Sequence, residues 1–142
     1  MEIEKALVEQ KIKPQDVREM WNEKYKQYLD IDVPSDREGA LQDVHWSHGA
    51  IGYFPTYSIG SFYAAQFFNQ ASKDVPDLNN QITDKEFQPL LSWLRENIHH
   101  QGNLYSSHDL CKKVTGAPLN FDYFKNYAYQ KYEDLYGISA SS

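Results

Sequence analysis

Cys111 is the only cysteine in the chain. That excludes an intrachain disulfide and agrees with a reducing, cytoplasmic setting. No apolar run approaches the ~18 residues that a membrane span needs, so no membrane partner is expected. Basic residues are outnumbered, 14 Lys and Arg against 20 Asp and Glu, for a formal net charge of −6. The cations are scattered among acids, which leaves no stripe for a phosphate backbone and excludes nucleic acid as a partner. The acidic balance itself reads as solubility. The opening segment MEIEKALVEQ lacks the basic-then-apolar pattern of a secretory signal. There is no Gly-x-Ser-x-Gly elbow, no phosphate-binding glycine loop, no repeat and no low-complexity tract.

Aromatic side chains are plentiful, at 15% of the chain with 11 tyrosines, so any core or interface is rich in rings. A length of 142 residues is read as a single helical domain over 1–142. Apolar residues recur at helical spacing nearly throughout, and no convincing strand alternation appears, so the fold class is all-α. Ile3, Leu7 and Val8 share a face of a first helix that has no capping residue before it, a pattern expected of a piece of something longer. Pro14 suits the first turn of a second helix carrying Val17, Met20, Trp21, Tyr25 and Tyr28, which runs out before Val33-Pro34. Helix resumes at Pro55, with Ile59, Phe62, Tyr63, Ala64 and Phe67 expected on a buried stripe and Gly60 at a close helix contact. Pro76 and Asp77-Leu-Asn-Asn80 are expected to break it. Thr83 followed by Glu86 reads as a capping box opening a helix with Phe87, Leu90, Leu91, Leu94 and Ile98 inward, stopped by Gly102. Ser106 or Ser107 caps a short helix bearing Leu110 and Val114 and ended by Gly116 and Pro118. Asn120 caps the last helix, with Tyr123, Phe124, Tyr127 and Leu135 expected inward.

Residues 34 to 55 break this regularity, with Pro34, Gly39, Gly49 and Gly52 as punctuation and two histidines and a tryptophan between them. A stretch so irregular and so aromatic is a candidate for function. His45 and His48 lie three apart, a spacing metal sites use, but no acid or cysteine at a matching offset joins them. The plainer reading makes His45 a buried, hydrogen-bonded residue and His48 a surface one. His99 and His100 end a helix, where positive charge suits the carbonyl dipole. His108 and Cys111 share a face, read as a surface imidazole beside a buried thiol. Gln42, Asp43 and His45 can bond one another, and an Asp-to-imidazole bond would fix the tautomer of His45. Tyr53 and Tyr57 can present hydroxyl donors to a developing oxyanion. From composition alone these residues also fit a satisfied polar core.

The run Gly39-Ala-Leu-Gln-Asp-Val-His-Trp46 resembles the Gly-x-x-Gln-Asp-x-His-Trp motif of family M32 metallocarboxypeptidases. The likeness continues through Ser47-His-Gly-Ala-Ile-Gly-Tyr-Phe-Pro-Thr-Tyr-Ser-Ile-Gly-Ser-Phe-Tyr-Ala-Ala-Gln66. It extends upstream to Ile3-Glu-Lys-Ala-Leu7 and Trp21-Asn-Glu-Lys-Tyr25, and downstream to Leu91-Ser-Trp-Leu-Arg-Glu-Asn-Ile-His99 and Lys131-Tyr132. What the resemblance implies is a mostly helical, cytoplasmic, dimeric enzyme that removes single residues from peptide carboxyl termini with one divalent metal, zinc or cobalt. In such enzymes His-Glu-x-x-His and a downstream glutamate hold the metal, and the motif's own glutamate activates water. An Ile-Arg-x-x-Ala-Asp arginine helps hold the substrate carboxylate.

Neither His-Glu-x-x-His nor Ile-Arg-x-x-Ala-Asp occurs in this sequence, and both are expected to precede residue 1. The resemblance therefore implies supporting roles only. His45 would orient substrate, Tyr53 would stabilise the transition state, Tyr57, Gln42 and Asp43 would line the substrate site, and no metal would be held by this chain alone. The expected partners are the missing amino-terminal half, a peptide substrate and a second copy in a homo-oligomer. Without that half the chain is expected to be inactive. The alternative is a non-catalytic helical module, derived from the same family, that self-associates.

Overall fold

Eight α-helices account for most of the 137 residues, Met1 to Gly137, that the structure, a computed structural model, describes. They are α1 (Glu2–Val8), α2 (Val17–Leu29), α3 (Val44–Ser47), α4 (Pro55–Asp74), α5 (Leu78–Thr83), α6 (Gln88–Asn97), α7 (Ser107–Thr115) and α8 (Asp122–Tyr136). No strand occurs among the described residues, as the helical periodicity requires. The chain divides into two compact units, Met1–Tyr57 and Ser58–Ser142.

In the first unit α1 buries Ile3, Glu4 and Ala6. Pro14 opens a short 3₁₀ turn, Pro14–Asp16, that leads into α2, so the predicted second helix begins where proline allows it. Trp21 of α2 stacks on Tyr25 at 5.1 Å between ring centroids and meets the edge of Trp46 at 6.0 Å. Tyr28 is exposed rather than inward, but its hydroxyl donates to Glu2 Oε1 at 2.8 Å while Lys24 pairs with Glu2 Oε2 at 2.9 Å. The residue that ties α1 to the irregular segment is Glu4, only 4% exposed. Its Oε1 accepts from the indole Nε1 of Trp46 at 3.1 Å and from the backbone N–H of Gly52 at 2.9 Å. Its Oε2 has no hydrogen-bond donor and faces the amino terminus of Met1 at 3.4 Å.

In the second unit the core is Ala71 of α4, Leu78 of α5 and Trp93 of α6, with Phe67, Ile82, Leu90, Leu94 and Val114 packed around them. The Trp93 indole donates to Asp74 Oδ2 at 2.8 Å, so the ring is buried without an orphaned N–H. Gln66, 1% exposed on α4, latches the turn after α7. Its Nε2 donates to Thr115 Oγ1 at 3.0 Å and to the Pro118 carbonyl at 3.1 Å, and its Oε1 accepts from the Asn120 N–H at 2.8 Å. Ser106 caps α7 as expected, and Gly116 ends it at φ +76°. Cys111 is fully buried, which pushes its thiol up, and His108 beside it on the helix is exposed.

Several expectations are corrected. The helix from Pro55 does end before Pro76, at Asp74, but the residues that follow form α5, because Leu78 and Ile82, four apart, reach the core and outweigh the turn preference of asparagine. Thr83 closes α5 instead of capping α6, its hydroxyl donating back to the Asn79 carbonyl at 3.0 Å. Phe87 is exposed at the start of α6, and Trp93 takes the central place. Ile59, Tyr127 and Leu135 are exposed and Ala64 lies at the surface, so the stripes of α4 and α8 are narrower than periodicity suggested. Gly60 has nothing within 4 Å of where a Cβ would sit, so no helix approaches it. Asn120 does serve the start of α8: its Oδ1 accepts from the Asp122 N–H at 2.9 Å, although the capping position itself is Phe121.

Two measurements test these bonds. Gln66→Leu leaves the Asn120 N–H and the Pro118 carbonyl unpaired, and a buried orphan costs about 1–3 kcal/mol; urea denaturation is expected to register a loss of about 2–4 kcal/mol on that basis. A variant as stable as the parent would show that the latch contributes nothing. The second concerns acid. Burial raises the Glu4 carboxyl, but the Gly52 N–H, the Trp46 indole and the Met1 ammonium together more than offset it, so its pKa lies below the ordinary 4.5. A carboxyl lower in the folded than in the unfolded state contributes stability above its unfolded pKa that is lost as pH falls through the folded one. The Trp46 indole N–H resonance is therefore expected to shift and broaden below the ordinary glutamate range, and Glu4→Gln removes that response.

Candidate functional site

The irregular segment takes its shape from three backbone devices. A Cβ at Gly39 would lie 2.6 Å from Val33 Cγ1 and 3.1 Å from the Ser35 carbonyl, so the chain passes there only as glycine. Asp43 caps α3, its Oδ1 accepting from the His45 N–H at 2.9 Å. After one turn the chain doubles back, with Ala50 N–H donating to the His45 carbonyl at 2.9 Å and Gly49 and Gly52 at φ +70° and +76°. Gly52 hands the chain to Tyr53 and Phe54, and α4 starts at Pro55.

The same Asp43 Oδ1 lies 3.0 Å from His45 Nδ1. A carboxylate only accepts, so Nδ1 carries the proton and Nε2 presents its lone pair while the ring is neutral. The imidazole is partly buried, with 19% of its side chain exposed. Three rings surround it: Phe54 edge-on at 5.2 Å, Tyr57 edge-on at 5.9 Å and Tyr53 tilted at 6.0 Å between centroids. Tyr53 and Tyr57 meet edge to face at 5.5 Å. Tyr53 is 50% exposed, so a phenol and an oriented imidazole stand side by side at an open surface. Such a pair can donate one hydrogen bond from a hydroxyl and accept another at a ring nitrogen.

The structure brings together Asp43, His45, Tyr53 and Tyr57. It does not bring Gln42 to them: Gln42 is exposed and its amide donates to the Arg37 carbonyl, five residues back, because the 3₁₀ turn Ala40–Gln42 points it toward its own loop. His48 is exposed after α3 and does not share a ligand set with His45. His99, His100 and His108 belong to the second unit and are exposed. Among the described residues no group of three or more His, Cys, Asp or Glu can hold a metal ion. The described residues therefore do not fit a resident metal. Glu4 and Phe54 were missed. The signal for Glu4 was an acid three and four residues before Leu7 and Val8, on the apolar side of a short amphipathic helix; a buried acid requires donors.

Asp43→Ala removes both the cap and the imidazole's partner. The expected result is a loss of about 1 kcal/mol, typical of an N-cap, and ring ¹⁵N shifts of His45 that move from one tautomer toward an average of two. Unchanged ring shifts would show that Asp43 does not orient His45.

The family model of the carboxypeptidase Taq (M32) metallopeptidases matches residues 1–132. Thermostable carboxypeptidase 1 of Pyrococcus furiosus is 42% identical over 130 residues, which cover 92% of this chain and 26% of that protein. Carboxypeptidase 1 of Bacillus subtilis is 41% identical over 135 residues, covering 95% of this chain and 27% of the relative. The crystal structure of the M32 carboxypeptidase from Deinococcus radiodurans R1 superposes with a TM-score of 0.90 at 37% identity, over 96% of this chain and 28% of that one. The chain thus spans about a quarter of the length of the relatives it matches. With the motif block, the helical fold and this match all running through the same residues, the chain belongs to the M32 metallopeptidase family.

Proposed function

We propose that this chain is the carboxyl-terminal portion of a metallocarboxypeptidase and supplies the supporting wall of its active site. The observation that carries the reading is the Asp43-oriented His45 beside the half-exposed Tyr53, in a chain of this family. In this role Asp43 holds the Nδ1 proton, and His45 Nε2 faces the peptide end and fixes its orientation. The Tyr53 hydroxyl donates to the oxygen that gains charge as the terminal peptide bond is attacked. Tyr57 and Phe54 enclose the imidazole and limit water around it. The general base, the clamp for the substrate carboxylate, and the ligands for the zinc or cobalt that supplies the activated water belong to a segment with His-Glu-x-x-His and Ile-Arg-x-x-Ala-Asp, absent from this sequence. Activity therefore depends on that segment, and the assembled enzyme would be a cytoplasmic homo-oligomer acting on peptides.

A second reading is favoured by α8, where Tyr127, Tyr129, Tyr132, Leu135 and Tyr136 are all half or more exposed. Uncovered rings of that extent promote association, and they suit a non-catalytic module that pairs with itself.

One experiment separates the two. This chain is mixed with the remaining three-quarters of the Pyrococcus furiosus relative, and release of carboxyl-terminal amino acids from a peptide is followed by mass spectrometry. The expected outcome is a complex with turnover, reduced about 10²–10³-fold in kcat by Tyr53→Phe, the usual consequence of losing one oxyanion donor. A chain that self-associates, binds no complement and gives no turnover supports the second reading and ends the first.

A further inference from the structure

Glu4 lies far in sequence from His45 and Tyr53, yet it touches the immediate neighbour of each. One carboxylate oxygen, Oε1, accepts from the side chain of Trp46, which follows His45, and from the backbone of Gly52, which precedes Tyr53. The seven-residue turn from Trp46 to Gly52 is thus pinned at both ends to a single atom. No backbone bond joins the two ends of the turn directly. Gly49 and Gly52 sit at positive φ and are exposed, with nothing near a Cβ position at either. Its own bonds are short-range: His48 and Ala50 N–H donate to the His45 carbonyl at 3.2 and 2.9 Å, Gly49 N–H to the Trp46 carbonyl at 3.1 Å, and Tyr53 N–H to the Ala50 carbonyl at 3.4 Å. Glu4 itself cannot wander. It is carried by α1 between the buried Ile3 and Ala6, and its side chain is 5% exposed. A buried carboxylate with two N–H donors on one oxygen is a stiff, charge-assisted pivot.

We propose that Glu4 is a positioning residue that sets the spacing between the His45 imidazole and the Tyr53 phenol. Its hydrogen bonds do not reach either ring; it acts by fixing the turn that joins them. The catalytic meaning of that spacing rests on the reading of His45 and Tyr53 given above, whereas the spacing itself does not.

The full chain is small enough for solution NMR, and two readouts keep the claims apart. Nuclear Overhauser contacts between the His45 and Tyr53 rings report their spacing, and the His45 ring ¹⁵N shifts report the Asp43 bond. Glu4→Ala is expected to lose the ring-to-ring contacts while the His45 tautomer stays as it was. Glu4→Gln, whose amide oxygen still accepts both bonds, is expected to restore the contacts. Glu2→Gln, on the same helix but at the surface, is expected to leave them unchanged. A merely structural role would move both readouts together or neither. If Glu4→Ala does not fold, Glu4→Asp, which withdraws the carboxylate by one methylene, and Trp46→Phe, which deletes one donor, are each expected to weaken the ring contacts. Ring contacts of full strength in every folded Glu4 and Trp46 variant would overturn the proposal, as would Glu4→Gln behaving like Glu4→Ala. In the complemented enzyme, Glu4→Asp is expected to lower kcat about tenfold with KM little changed. Contacts that respond to Glu4 while kcat does not would leave the positioning role standing and reject His45 and Tyr53 as the reacting pair.

Discussion

A carboxylate enclosed by protein is tolerated only where donors surround it, because the desolvation it suffers exceeds what packing returns. Glu4 meets that condition with the Trp46 indole and the Gly52 N–H, 42 and 48 residues away. The requirement runs both ways. The acid needs those donors, and the irregular segment, whose own bonds are short-range, gains from the acid a tie across its turn. Gln66 repeats the arrangement in the second unit, where a buried amide takes its partners from Thr115, Pro118 and Asn120. In each unit a polar side chain on a helix supplies the bonds that a remote, glycine- and proline-marked turn lacks.

That division of labour explains why the candidate site is precise although it sits on a loop. Asp43 is a helix cap first, and the oxygen that caps α3 also holds the imidazole. His45 is oriented within its own turn, whereas its distance from Tyr53 is a property of the whole turn and its anchor. Catalytic side chains on loops need such outside support, since a small misplacement is costly to rate.

The exposures fit the same picture. Tyr53, Phe54 and Tyr57 are half open, and α8 buries none of its residues. Rings on helices at core-like spacing are ordinarily inward, and here many are not. Apolar residues recur at helical spacing on α4 and α8 beyond the faces that the described residues cover. This is why helical periodicity located α4 and α8 well but overstated their buried faces at Ile59, Tyr127 and Leu135. α5 was missed for a different reason: its buried pair, Leu78 and Ile82, lies within a stretch whose asparagines favour a turn when read locally.

The sequence by itself determined what depends on near neighbours. Helical spacing settled the fold class, Pro14, Pro55, Ser106 and Gly116 settled where helices start and stop, and Asp43 two residues before His45 stood as one candidate partner for the imidazole. The motif block from Gly39 to Trp46 settled the family. Only the tertiary structure decided the rest: that Gln42 turns away to Arg37, that Trp93 centres a core, and that Glu4 and Gln66 are buried at all. The burial of Glu4 and Gln66 rests on pairings across some fifty residues, between groups whose partners no local pattern names. A buried donor is satisfied by whatever the folded chain brings within 3 Å of it, and proximity of that kind exists only after folding.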